Sequence, residues 1–110
     1  MKWYKDLYVG ESIAPDYKRI IKKIKYHKFT PDVYVISFAS NPENLMDIIP
    51  SWQLIQPGYP KDALRIIGIA GGKAEAYELT RQMIEETYLM TGTVDVAMYL
   101  KGKWRDEQWK

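Results

Sequence analysis

The segment Val33-Tyr34-Val35-Ile36-Ser37-Phe38-Ala39 is rich in β-branched and aromatic residues and carries no charge on either face. A strand with one face in water alternates apolar with polar side chains; this one does not, so both of its faces must be covered. Leu64-Arg65-Ile66-Ile67-Gly68-Ile69-Ala70 is a second segment of the same kind, with Arg65 near its start where solvent is close. Two doubly covered strands need helices above and below them.

The chain offers those helices. Ile13, Tyr17, Ile20, Ile21 and Ile24 recur at spacings of three and four, which lays one apolar stripe down a helix. Ser12 is its candidate cap, and Pro15 and Asp16 suit its first turn. Lys18, Arg19, Lys22, Lys23, Lys25 and Lys28 fill the other side, so the helix is amphipathic with a cationic outer face. Ser40-Asn41-Pro42-Glu43 has the spacing of a helix start, and Leu45, Met46, Ile48 and Ile49 supply an apolar face up to Pro50. Ser51 to Ile55 adds a further turn before the loop Gln56-Pro57-Gly58-Tyr59-Pro60. The longest helix runs from Lys73 to Met90 and stops at Gly92, with Ala76, Tyr77, Thr80, Met83, Ile84, Thr87 and Tyr88 on its inner side. Val94, Val96, Met98 and Leu100 then alternate with a more polar set, which reads as an edge strand.

The order helix, strand, helix, strand, helix, strand predicts parallel pairing through helical crossovers, in a two-layer or three-layer α/β domain. In that arrangement it resembles Rossmann-like domains, though such a likeness assigns no function. At 110 residues the chain fits one domain, with residues 101–110 as a peripheral tail and residues 3–9 open between a fourth strand, a hairpin and a short helix. A narrow sheet has two open edges, and a homodimer is one remedy, with Trp3, Tyr4, Trp104 and Trp109 as interface material or as caps on a small core.

Composition removes several function classes. No apolar run nears the ~20 residues of a membrane helix and the start lacks a signal-peptide core, so the expected setting is the cytoplasm, away from membranes. The absence of cysteine excludes disulfides, thiolate nucleophiles and cysteine-ligated metals, and His27, the one histidine, leaves no histidine pair; no metal or cofactor is expected. Net charge is only +2, but eight Lys and Arg stand against three acidic residues through Lys28, and eight against eleven in the remainder. Glu78, Arg81 and Glu85 have the spacing of surface ion pairs rather than of an acid–base site.

A parallel sheet would bring the strand ends at Ala39, Ala70 and Leu100 to one rim, where Ser40, Asn41, Gly71, Gly72 and Lys73 form the candidate ligand site. Glycines allow close approach, a helix start offers free N–H groups and Lys73 adds a charge, so the expected ligand is a small anion. Neither nucleotide motif is met: Gly68 to Gly72 leaves three residues where a phosphate loop needs four, and Gly68 has no glycine two positions on. The same glycines also serve simply as a tight strand-to-helix turn. Three readings follow. The first is a non-catalytic binding or interaction module, homodimeric, with an anion at the rim. The second is a nucleotide- or phosphate-ligand enzyme using Gly71-Gly72-Lys73. The third is a nucleic-acid binder acting through the basic first helix, where cations and aromatics mix.

Overall fold

The computed structural model describes residues 1–41 and 43–103, with side chains described through Leu100. Four strands, β1 (Lys2–Val9), β2 (Val33–Phe38), β3 (Met46–Pro50) and β4 (Arg65–Gly71), form one sheet in the order β1-β4-β2-β3. Only β1 and β4 run parallel; β2 is antiparallel to both β4 and β3. The helices are α1 (Tyr17–Lys25), α2 (Ser51–Leu54), α3 (Lys73–Thr91) and α4 (Val96–Lys103), with a 3-10 turn at Glu11–Ile13.

The two apolar segments are neighbours, and both are covered on both sides. Val33 and Val35 of β2 join Ile66 and Ile69 of β4 in one core cluster, against which Tyr17, Ile20, Ile21 and Ile24 of α1 and Leu54 of α2 pack. Ile36 joins Ile67, Ala70, Ala76, Leu79, Met83, Val96 and Leu100 on the opposite side, under α3 and α4. The sheet is thus the middle of three layers. Gly68 lies at a register slip in β4 and its bare backbone faces Met83: a Cβ there would stand 2.8 Å from the Met83 terminal methyl.

The mainly parallel, Rossmann-like arrangement is overturned by the antiparallel pairing of β2 with β4 and β3, and three elements differ from their expected form. The segment after Asn41 expected as a helix is instead β3, the return strand of a hairpin with β2, in register Val35 to Ile49 and Ile36 to Ile48. Its helix-start signals serve the hairpin loop: Ser40 donates its amide and hydroxyl to Asp47 at 3.1 and 3.2 Å, and Asn41 Oδ1 accepts the Glu43 amide at 2.9 Å. Pro42, part of that signal, lies outside the described residues. As a strand this segment covers both sides of the sheet, Met46 and Ile48 packing on one core and Ile49 on the other.

The expected edge strand at residues 94–100 is helix α4. Asp95 caps it, its carboxylate accepting the Met98 amide at 3.1 Å, so Val96 and Leu100 are buried one turn apart while Met98 is exposed. Finally, the first helix starts at Tyr17, not Ile13, because Ser12 spends its hydroxyl on α3.

Residues 2–9 settle as edge strand β1, interrupted between Trp3 and Tyr8 by a register slip. Trp3 and Tyr4 are buried in the core and so are not interface material; Trp104 and Trp109 lie outside the described residues, as does most of the expected tail.

Candidate functional site

Antiparallel pairing takes the expected rim apart. Gly71 lies beside Val33, at the start of β2, and Ile66 lies beside Ser37, near its end. Ser40 and Asn41 therefore sit at one end of the sheet and Gly71, Gly72 and Lys73 at the other, about 17 Å away at the rise of a strand. Ser40 lines a cleft of about 560 Å³ with Pro60 and Ala63, and shares it with none of the glycines.

The glycine turn does hold an anion, but one belonging to the chain itself. The Glu75 carboxylate, in the first turn of α3, accepts the Gly71 amide at 2.8 Å, the Ser12 hydroxyl at 2.8 Å and the Ser12 amide at 3.1 Å. Burial pushes the Glu75 carboxyl up, and the three hydrogen bonds outweigh it, holding the group below the usual carboxylate range. Gly10 and Gly71 leave the room for this arrangement: a Cβ on Gly10 would collide with the carboxylate, and one on Gly71 with Ser12 and Ile13. The Gly72 amide, at φ 102°, donates to the Asp32 carbonyl, and Lys73 lies over the Tyr77 ring with Nζ 5.9 Å from its centroid. The neighbouring cleft, about 180 Å³, is lined by Glu11, Glu75 and Glu78, a surface that repels anions.

A second carboxylate works in the same structural way. Glu86 Oε2 accepts the Tyr8 hydroxyl at 2.7 Å and the Tyr99 hydroxyl at 3.1 Å, tying α3 to β1 and α4. Burial first, then the hydrogen bond to Glu86 and its charge, push the Tyr8 phenol well above the usual tyrosine range. Glu78, Arg81 and Glu85 form the expected surface pairs, both at 2.6 Å. Among the described residues no group of three His, Cys, Asp or Glu side chains could hold a metal ion, and no helix is long and apolar enough to cross a membrane.

What stays open is the outer face of α1 and the turn after it. Its inner stripe is committed to the core, which fixes the other side outward. Lys18, Arg19, Lys22, Lys23, Lys25 and Lys28 are all exposed, and of these six only Arg19 has an ion-pair partner among the described residues, Asp16 at 3.5 Å. Tyr26, 66% exposed, and Phe29, 64% exposed, stand among them. His27 closes the helix in a left-handed conformation, φ 58°, with Lys28 donating back to the Lys23 carbonyl at 2.8 Å.

Past Lys28 the chain enters a cleft of about 270 Å³ whose lining includes Phe29, Asp32, Tyr34 and Trp52. This cleft was not legible beforehand. Phe29 and Trp52 are distant in sequence, and the one signal was that neither falls on an apolar stripe. Comparison with protein-family models, with curated proteins and with solved structures returns no match for this chain.

Proposed function

We propose that this protein is a binding module for an extended polyanion, nucleic-acid backbone above all, with the outer face of α1 as its contact surface. The observation that carries this reading is the row of unpaired cations on a helix that is held rigid by its buried side. Lys18, Lys22 and Lys25 share one face over about 10 Å at the helical rise, with Arg19 and Lys23 alongside. The opposite layer bears Glu75, Glu78, Glu85 and Glu86 on α3. A polyanion is therefore drawn to one side of the sheet and repelled from the other, which orients the encounter. A small anion at the glycine turn is disfavoured by the charge Glu75 already places there. The module's setting in this reading is the cytoplasm.

Fluorescence anisotropy of labelled oligonucleotides across a salt series tests it. The affinity should fall linearly on a log–log plot against salt, and reversal of Lys22 and Lys23 to Glu should weaken binding and reduce the slope by about one per lysine. Absence of binding at low salt, or a slope the reversals leave untouched, would overturn the reading.

A further inference from the structure

We infer that the bound polyanion is single-stranded nucleic acid, one of whose bases stacks in the cleft between Phe29 and Trp52 while its phosphates follow the cations of α1. This rests on the reading above and adds to it the form of the strand and the place of a base.

The two backbone segments that carry these rings are tied together by a buried pair of hydroxyls. Thr30 and Ser51, both buried, meet oxygen to oxygen at 2.7 Å, and the Ser51 hydroxyl lies 2.9 Å from the Thr30 carbonyl as donor. Phe29 directly precedes Thr30 and Trp52 directly follows Ser51, so one buried contact fixes the spacing of two backbone segments whose next residues are large aromatics turned to solvent. Trp52 is 46% exposed and Phe29 more so, and neither packs on a core cluster. Both rings line one cleft on backbone that is already fixed, which lowers the ordering cost when a third ring joins them. Base-on-aromatic stacking tolerates any base, because every base has a π-face.

Charge chooses between the parts of a nucleotide. Asp32 is in the cleft lining and repels a phosphate, but leaves an uncharged base free to enter and offers an acceptor to an exocyclic amino group. The phosphates are drawn instead to Lys28, immediately before Phe29 in the chain, and Lys25, four residues before it. A base paired within a duplex cannot leave its stack without loss of pairing, so the cleft favours unpaired strands.

The test compares a labelled single-stranded oligonucleotide, the same sequence as a duplex, and heparin as a base-free polyanion, using the full chain. Phe29→Ala and Trp52→Ala, both at exposed rings, should weaken single-strand binding by roughly five- to hundred-fold, the range of one lost base stack. Both should leave duplex and heparin binding and the salt slope unchanged, and Trp52→Phe should restore most of the loss. Thermal melting of each variant checks that the fold is intact. Equal effects on all three probes, or none on the single strand, would overturn the base slot while leaving the cationic face of α1 standing. So would a light-scattering mass of two chains that Trp52→Ala reduces to one, since a second copy would then cover the rings.

Discussion

The Glu75 carboxylate and the Gly71 amide meet at 2.8 Å across the start of α3, and Ser12 closes the carboxylate from its other side with hydroxyl and amide. Three donors that would otherwise want water or a ligand converge on one side chain. The strand-to-helix turn is thereby bound to the segment between β1 and α1.

Removing that carboxylate leaves the donors without their partner. Glu75→Ala should lower stability by about 1–3 kcal/mol in urea unfolding at neutral pH, with Glu75→Gln losing less because one acceptor remains. The pH dependence has a fixed sign. A carboxyl held below its unfolded value of about 4.5 contributes fully above that pH, and the contribution is lost as pH falls through the folded value. The gap between wild type and Glu75→Gln should therefore narrow on acidification below about pH 4.5. A gap that stays constant down to acid unfolding would show that the charge is not held by these bonds.

Gly10 should prove coupled to Glu75. Its φ of −67° suits any residue, so the space a Cβ would take from the carboxylate is all that is at stake. Gly10→Ala should cost about 1 kcal/mol or more in the wild-type background and much less once Glu75 is alanine, which a double-mutant cycle reads directly. Additive costs would separate the two residues.

His27 occupies the left-handed position after α1 at φ 58°, a conformation in which glycine carries no steric penalty. His27→Gly should raise the stability by about 0.5–1 kcal/mol, net of the added freedom of the unfolded chain. A drop in thermal midpoint would mean that the imidazole makes contacts that offset the strain.

At Tyr8 the raised phenol pKa predicts alkaline behaviour. Its protonated form is favoured in the folded state, so the stabilisation is complete below the unfolded tyrosine value near 10 and is lost as pH rises toward the folded value. Tyr8→Phe should cost about 1–2 kcal/mol at neutral pH, and this cost should shrink above pH ~10. Ultraviolet titration should show one phenol fewer ionising late in the variant. An unchanged late-ionising population would place the raised group elsewhere.

The local sequence was legible wherever a residue pattern meets its own neighbours. The apolar runs became β2 and β4, the isoleucine stripe became the buried side of α1, and Gly92, at φ 77°, ends α3. It misled where two structures share one short pattern. Ser40, Asn41 and Asp95 are hydrogen-bonding side chains that close a hairpin loop or start a helix equally well; the first two do the former and Asp95 the latter. On α3 the inner stripe holds Leu79 with Ala76, Met83 and Thr87, whereas the expected Tyr77 and Tyr88 are exposed.

By itself the sequence determined that two strands and the inner side of α1 are buried, because burial there follows from side-chain chemistry that each residue carries wherever it lies. Strand direction, and with it the company each loop keeps, was decided only in three dimensions. A strand covered on both faces has the same composition in either direction, so nothing in Val33 to Ala39 distinguishes a parallel neighbour from an antiparallel one. That choice separated Ser40 from Gly71, gave the glycine turn to Glu75, and brought Phe29 and Trp52 to one cleft through the contact of Thr30 with Ser51.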